Sequence, residues 1–432
     1  MKRYTPTLPT GRSSLALGLA LLVSASMYFY VQYLLIPYQK SYASAHNIPR
    51  GNLSDLYPRW LGARELLLDH RDPYTAQLTE QIQVGYYGRA LDPARPDDPK
   101  DQQAFAYPVY VVFLLAPTLK LPFTTLQFAF RWFLIALTLI SLLFWLRSFR
   151  LRVRPSTIVI ASLLTLGSFP VLQGIKLQQM SLLVSGMISA SILLLVEGQL
   201  VAAGVLLALA TIKPQLVALL FAWLLLWALS NWERRQRLVW GSVGTLGMLL
   251  AASEYVLPGW VARFLGAVEA YRQYNDGAWS VLQVLVTPFW GMVLTALVVL
   301  ALSVICWHHR HVPSDSVLFG WITALVLAST VLIVPKTSPY NQVLLLPGII
   351  LVIHQWHAWW RESRATRAML LGFALLLGWP WLTTLLMTIA TLFVPLATLQ
   401  NAWAVPLYTS LAIPVIVFVL LGRRMIDLRQ PG

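Results

Sequence analysis

An aspartate near the start of a polar insert is the first residue in this sequence that could do chemistry. Asp55 lies in Ser54-Asp55-Leu56-Tyr57, soon after an apolar segment at residues 15–36. At the boundary between lipid and water, a carboxylate can act as a general base toward a hydroxyl that attacks an electrophile. The same position suits a structural role, because Ser54 or Asp55 would cap a helix that begins near Leu56. The two roles are compatible, and both stay open at this point.

A lysine within an apolar stretch is the second candidate. Lys213 is flanked by largely apolar residues at 206–212 and 214–216. A lysine at membrane depth is costly and indicates a functional site, and its charge could bind a phosphate. Alternatively, its long side chain could reach the interface and leave the ammonium in water. Lys336 is a similar cation, and Arg131 and Lys176 are weaker candidates for the same role.

The histidines do not predict a metal site. His308, His309 and His311 lie close together, but they lack a set of carboxylate or cysteine partners. An interfacial anchor is the better interpretation of this stretch. The sequence also contains no glycine-rich phosphate loop and no nucleotide-binding domain. We therefore expect neither a metal nor a cofactor.

The composition indicates an integral membrane protein. Hydrophobic residues make up 57% of the 432-residue chain and charged residues only 11%. Soluble domains have about 45–50% apolar and about 25% charged residues. The apolar runs are continuous rather than alternating, which predicts spanning helices and not a barrel. The single cysteine, Cys306, excludes a disulfide framework.

The net charge of +15 is a signal of membrane topology rather than of nucleic-acid binding. Basic residues cluster in short segments between the apolar runs, at 2–12, 147–154, 234–237, 361–367 and 423–429. Short loops rich in lysine and arginine stay in the cytoplasm. We therefore place these clusters, and both chain ends, on the cytoplasmic side.

This topology predicts a single all-α membrane domain, residues 1–432, with about twelve spans. The spans are expected near 15–36, 124–147, 155–172, 180–197, 199–212, 214–230, 238–257, 285–307, 316–334, 341–358, 367–391 and 404–421. The short pair joined at Lys213-Pro214 can be one broken hairpin, because proline removes a backbone donor and crowds the preceding turn.

Residues 37–123 are predicted to form a long first loop on the extracytoplasmic side. Part of this loop, 105–122, is apolar enough to span the membrane. If it did, the basic cluster at 147–154 would lie outside, against the positive-inside rule. We therefore expect 105–122 to form an amphipathic helix in the outer interface.

Several short motifs are spread over residues 52–350 of the sequence. They are Ser54-Asp55-Leu56-Tyr57 with Ala63 and Asp72-Pro73-Tyr74, Phe105-Ala106-Tyr107-Pro108 with Leu114-Leu115-Ala116-Pro117, Gln179-Met180-Ser181-Leu182-Leu183, Ala203-Gly204 through Lys213-Pro214, and Ser338-Pro339-Tyr340 with Leu345-Leu346-Pro347. In type and in order, these motifs resemble the GT-C superfamily of membrane glycosyltransferases, and within it glycosyltransferase family 87.

The resemblance implies an extracytoplasmic active site in a GT-C-like bundle, with Asp55 as the catalytic aspartate. It also implies a polyprenyl-phosphate sugar donor, mannose-like in the family, and a lipid-linked or glycan acceptor. Lys213, Lys336 and Arg131 are then the expected binders of the donor phosphate. The expected location is the plasma membrane of a bacterium, in contact with membrane lipids. Further candidates for substrate binding are Tyr57, Arg64, Gln179 and Tyr340.

The chain departs from the family pattern at two places. It has Gln178-Gln179 where the family often has Gly-Gln, and the stretch around Tyr340 lacks the histidine often found there. Two other functions are compatible with the sequence. A lipid or glycan transporter also needs many spans and broken helices, although no internal repeat is visible. The second of these functions is that of a membrane scaffold, which keeps the fold but has no catalytic activity.

Overall fold

The computed structural model describes residues 10–51, 53–92, 94–95, 97–274 and 279–427, with side chains between residues 14 and 425. All regular structure in these ranges is helical, as expected for an all-α membrane protein. The basic clusters at the two chain ends lie partly outside the described residues.

The first half of the chain forms twelve α-helices in the described ranges. They are α1 (Thr10–Phe29), α2 (Ile36–Ala45), α3 (Leu56–Leu68), α4 (Ala76–Tyr87), α5 (Val111–Leu115), α6 (Phe123–Ser148), α7 (Pro155–Leu166), α8 (Phe169–Leu177), α9 (Met180–Val196), α10 (Leu200–Leu209), α11 (Pro214–Leu229) and α12 (Trp232–Val256). A π-helical turn, Tyr30–Leu35, joins α1 to α2 without a break.

The second half adds eight more α-helices within the described residues. They are α13 (Trp260–Tyr274), α14 (Val281–Leu285), α15 (Pro288–His308), α16 (Val317–Ile333), α17 (Leu346–Trp360), α18 (Arg364–Ala390), α19 (Leu396–Gln400) and α20 (Ala412–Asp427). A 3₁₀ segment, Pro339–Leu345, leads into α17.

Six helical segments are long and apolar enough to cross a membrane, and a bent pair could form a seventh span. The six are Ser14–Ala45, Phe123–Ser148, Pro288–His308, Pro339–Trp360, Arg364–Ala390 and Leu396–Met425. The pair α7 and α8 bends by 60°. Each of the other predicted spans is also helical, but α9, α10, α11 and α16 are short and α12 is more polar. The chain is thus a polytopic membrane protein.

The insert between the first two long spans contains α3, α4 and α5. Our expectation of one amphipathic helix over 105–122 is wrong, because only Val111–Leu115 and a 3₁₀ turn, Ala116–Thr118, are helical there. Pro108, Pro117 and Pro122 interrupt helical hydrogen bonding. Much of the remaining chain is buried rather than interfacial, including Phe105 at 1% exposure.

The centre of the bundle is α16, in which every residue from Phe319 to Leu332 is buried. A helix that is apolar on all sides belongs in the interior. Beside α16, the helices α10 and α12 cross so closely that their backbones are in contact. A methyl group added at Gly204 or Gly241 would lie 2.4 Å from a carbonyl oxygen of the other helix.

Ion pairs join several helix ends on one side of the bundle. Arg147, at the end of α6, pairs with Glu197 after α9 at 2.6 Å. Arg150 pairs with Asp315, before α16, at 3.4 Å. The opposite ends of α6, α9 and α16 therefore lie together on the other side, and the candidate site is built from those ends.

Candidate functional site

A cavity of about 580 Å³ lies where α3, α9 and α11 begin and just after α16 ends. Five of the predicted site residues line it, namely Asp55, Gln179, Lys213, Lys336 and Tyr340. Other lining residues come from the insert and from α13, including Tyr86, Asp101, Tyr107 and Tyr271. The fold thus brings residues from five separate segments of the chain to one cavity.

Asp55 immediately precedes α3, but its side chain does not cap that helix. Its carboxylate instead accepts hydrogen bonds from Gln179 Nε2 and, at 3.3 Å, from the Tyr86 hydroxyl. The capping role predicted as an alternative is therefore not the one that the side chain performs. Because no backbone amide of α3 occupies the carboxylate, it stays directed into the cavity.

The backbone at Asp55 is attached to the elbow between α8 and α9. The Asp55 N–H donates to the Leu177 carbonyl at 2.9 Å. The Ser54 hydroxyl donates to Gln178 Oε1, and Gln178 Nε2 donates to the Gln127 carbonyl. Three hydrogen bonds from non-local partners thus fix where the carboxylate stands.

Gln178 adopts a left-handed backbone conformation, with φ of 52°. This conformation ends α8 and turns the chain into α9, and it favours glycine because a Cβ crowds the following carbonyl. The family's usual Gly-Gln fits such a turn. Here Gln178 occupies it, and its side chain supplies the two hydrogen bonds described above.

Burial raises the pKa of the Asp55 carboxyl, and the positive charges of Arg59, Lys213 and Lys336 partly offset this effect. The carboxylate is partly exposed to the cavity but lies deep within the surrounding protein. Burial also raises the pKa of Tyr86, so its hydroxyl keeps the proton that it donates to Asp55. A carboxylate with a raised pKa is a stronger base than an aspartate in water.

Lys213 lies at the break between α10 and α11 and is only 7% exposed. Pro214 begins α11, and the residue before a proline is disfavoured in a helix. The ammonium donates to the Ser181 hydroxyl at 2.7 Å and lies 3.5 Å from Gln179 Oε1. It also lies 5.1 Å from the centre of the Tyr340 ring. Snorkelling to water is therefore wrong for Lys213, because it is enclosed by protein.

Gln179 contacts both charged groups. Its Nε2 donates to Asp55, and its Oε1 faces the Lys213 ammonium. The amide of Gln179 thus bridges a carboxylate and an ammonium, and both charged groups line the cavity.

Lys336 is held by a different set of partners. Its ammonium lies 2.9 Å from the Tyr271 hydroxyl and 3.7 Å from Asp101 Oδ1. The Tyr271 hydroxyl also donates to Asp101 Oδ1, at 2.7 Å. An anion that recruits Lys336 would have to compete with Asp101.

The sequence of the chain matches the model of glycosyltransferase family 87 over residues 105–335, which is more than half of its length. The chain belongs to glycosyltransferase family 87. No curated protein and no solved structure matches it. The matched region contains Gln179 and Lys213, whereas Asp55 precedes it and Lys336 and Tyr340 follow it.

The family makes this protein a membrane glycosyltransferase, which requires a sugar donor and an acceptor. Its cavity is lined by carboxylates, including Asp55, and by cations, including Lys213 and Lys336. Within the described residues, no cluster of three histidine, cysteine, aspartate or glutamate side chains is suited to a metal ion.

Four predicted site residues of this glycosyltransferase do not line the cavity. The Tyr57 ring packs edge-on against Phe123, and the exposed Arg64 lies over the Trp60 ring. Arg131 and Lys176 line a second cavity instead.

Arg59 also lines the cavity, one helical turn after Asp55, and it was not among the site residues predicted from the sequence. Its Nη1 donates to the Asp55 carbonyl at 2.6 Å, and its guanidinium lies 4.5 Å from the centre of the Tyr107 ring. The signal available in the sequence was the spacing of four residues, which places Arg59 beside Asp55 on a helix.

Proposed function

We propose that this family 87 member is an inverting hexosyltransferase that uses a polyprenyl-phosphate sugar, mannose-like, as donor. The acceptor is a hydroxyl of a lipid-linked molecule or glycan on the extracytoplasmic face. The observation that supports this most is that Asp55 and Lys213 face one cavity and share Gln179 as a neighbour.

In the proposed reaction, Asp55 takes the proton of the acceptor hydroxyl. The hydroxyl oxygen forms a bond to the anomeric carbon while the bond from that carbon to the phosphate oxygen breaks. The electron pair leaves with the lipid phosphate, so the configuration at the anomeric carbon inverts. Cations placed where this negative charge develops lower the barrier.

Lys213 and Arg59 are the cations best placed for the leaving phosphate. Both line the cavity with Asp55, and Lys213 has neutral hydrogen-bond partners rather than a carboxylate. Lys336 would assist after exchanging Asp101 for the phosphate. A donor of this class needs no nucleotide-binding domain, because the lipid phosphate is itself the leaving group.

The arrangement of charge supports an extracytoplasmic site. The basic clusters near 147–154 and the ion pairs of Arg147 and Arg150 lie at one set of helix ends. The cavity lies at the opposite ends of the same helices. Since basic loops remain cytoplasmic, the cavity then faces the other side.

The decisive experiment measures sugar transfer by the purified protein from polyprenyl-phosphate hexoses to lipid acceptors. Asp55→Asn keeps the shape, since an asparagine can accept from Gln179 and donate to Tyr86, but it removes the base. We expect Asp55→Asn and Asp55→Ala to lower kcat by about 10²–10⁴-fold. Asp55→Asn should keep the thermal stability, because it removes a charge whose burial is unfavourable.

The matched control is Asp97→Asn, an exposed aspartate of the same insert that does not line the cavity. It should retain full activity. Unchanged transfer by both Asp55 variants would refute the base assignment. Absence of transfer by the unmodified protein with every polyprenyl-phosphate sugar would refute the donor class.

A further inference from the structure

A second cavity, of about 780 Å³, adjoins the first one, and the proposed reaction makes no use of it. Tyr86, Asp101 and Leu177 line both cavities and form the wall between them. The Tyr86 hydroxyl contacts the Asp55 carboxylate. A molecule in the second cavity is therefore one side chain away from the proposed base.

Four cations from four separate elements line this second cavity. Lys40 comes from α2, Arg50 from the chain before α3, Arg131 from α6 and Lys176 from α8. Arg50 and Lys40 are close enough to Lys176 to repel its ammonium. Within the described residues, none of the four forms an ion pair with a carboxylate. Like charges that converge without a counter-ion indicate a site for an anion.

The single carboxylate among the described lining residues does not neutralise these cations. Asp101 accepts from Tyr271 and from Gln103, and its charge pairs with Lys336 on the side of the first cavity. A further polar group is available, because the buried Gln173 Oε1 has no hydrogen-bond partner in the described structure. It can accept a hydrogen bond from a hydroxyl of the ligand.

Part of the lining of the second cavity is apolar. Val31 and Leu35, on the π-helical turn of the first span, line the cavity together with Phe169. Turns of this kind occur frequently at functional sites. A cavity lined by both cations and apolar side chains suits a ligand with a charged head and a hydrocarbon body, whereas a free anion would leave the apolar lining without a contact.

We infer that the second cavity binds the phosphate head of an anionic lipid, and that this lipid is the acceptor. The role as acceptor rests on the proposed function. In that reaction the donor phosphate occupies the first cavity with Lys213, so a second group of cations serves a second anionic group. The reaction has only two substrates, which assigns that group to the acceptor.

The test compares binding of two lipids to the full-length protein in detergent, dioleoyl phosphatidate and a polyprenyl phosphate. We expect Arg131→Gln combined with Lys176→Gln to weaken phosphatidate binding about tenfold or more, since charged hydrogen bonds are lost. Polyprenyl-phosphate binding should stay unchanged in this variant. Lys213→Gln should show the reverse pattern. Lys40→Gln combined with Arg50→Gln provides a second variant of the same cavity.

Lys120→Gln is the matched control, because Lys120 is exposed and lines neither cavity. Equal loss of both lipids in the cavity variants, or the same loss in Lys120→Gln, would overturn the inference. So would competition by glycerol 3-phosphate as strong as that of the lipid. Phosphatidate binding requires neither turnover nor a donor, so failure of the proposed function would appear as absent sugar transfer, with the loss of phosphatidate binding in the cavity variants intact.

Discussion

At the scale of single residues, the site depends on one neutral amide. Gln179 donates to the Asp55 carboxylate and presents its oxygen to the Lys213 ammonium. A hydrocarbon side chain there would leave Asp55 without this donor, and a carboxylate would add a second negative charge. The amide therefore stabilises the ionised form of Asp55 through its Nε2 group, and its oxygen accepts from Lys213.

The pH dependence of activity tests this arrangement. Since burial raises the pKa of Asp55, transfer should be lost on the acidic side at a higher pH than for an ordinary aspartate. Gln179→Glu would repel the ionised Asp55 and move this acidic limb further upward. The measurement is the pH profile of kcat/KM for both proteins. An identical acidic limb in the variant would contradict the role of Gln179.

The protonation state of Asp55 also changes the free energy of unfolding, and the direction of this change follows from the shift of its pKa. Its pKa in the folded protein lies above the value in the unfolded chain. Ionisation therefore costs stability as the pH rises through that range, and this cost disappears at low pH. The proposed catalysis consequently needs the ionised form of this carboxyl group, whereas the folded protein is more stable with the protonated form.

At the scale of elements, the elbow between α8 and α9 fixes Asp55. Gln178→Gly would relieve the left-handed backbone but lose the side-chain hydrogen bonds to Ser54 and Gln127. Gln178→Ala would lose the same bonds and keep the backbone cost. We expect the alanine variant to be less stable than the glycine variant by about 1 kcal/mol. Thermal unfolding in detergent measures this, and equal stability would contradict it.

The contact between α10 and α12 provides a prediction with an internal control. A side chain at Gly241 would collide with the Val201 backbone of α10, whereas nothing lies within 4 Å of a Cβ at Gly244. Gly241→Leu should destabilise the protein by about 1–3 kcal/mol, as overpacking does. Gly244→Leu should have little effect. A similar loss of thermal stability in both variants would contradict the close crossing.

Local sequence patterns predicted some structural elements correctly and others wrongly. Pro214 correctly predicted the break that places Lys213 at a helix junction, because a proline acts on its immediate neighbours. The prediction of an amphipathic helix over 105–122 was wrong because apolar composition cannot distinguish a helix in the interface from buried irregular chain. Arg131 and Lys213 are both cations near apolar residues, yet they line different cavities. That separation depends on tertiary packing, which no local pattern encodes.

At the scale of the whole molecule, the predicted topology places the insert outside the cell and the basic clusters inside. The single cysteine, Cys306, is buried, so Cys306→Ser provides a background for cysteine labelling. In intact cells, a membrane-impermeant maleimide should label Asp97→Cys and should not label Arg234→Cys before the membrane is opened. The reverse labelling pattern would place the cavity in the cytoplasm.

The hydrogen bond between Ser181 and Asn341, together with the tie between Asp55 and Gln179, has a consequence for biogenesis. The three segments that meet there leave the ribosome far apart in time. At roughly 5–20 residues per second, the interval between Asp55 and Asn341 is roughly 15–60 s. Throughout that interval the nascent chain contains Asp55 but lacks part of the residues that complete the cavity. The enzyme therefore cannot act until most of its membrane helices have been inserted.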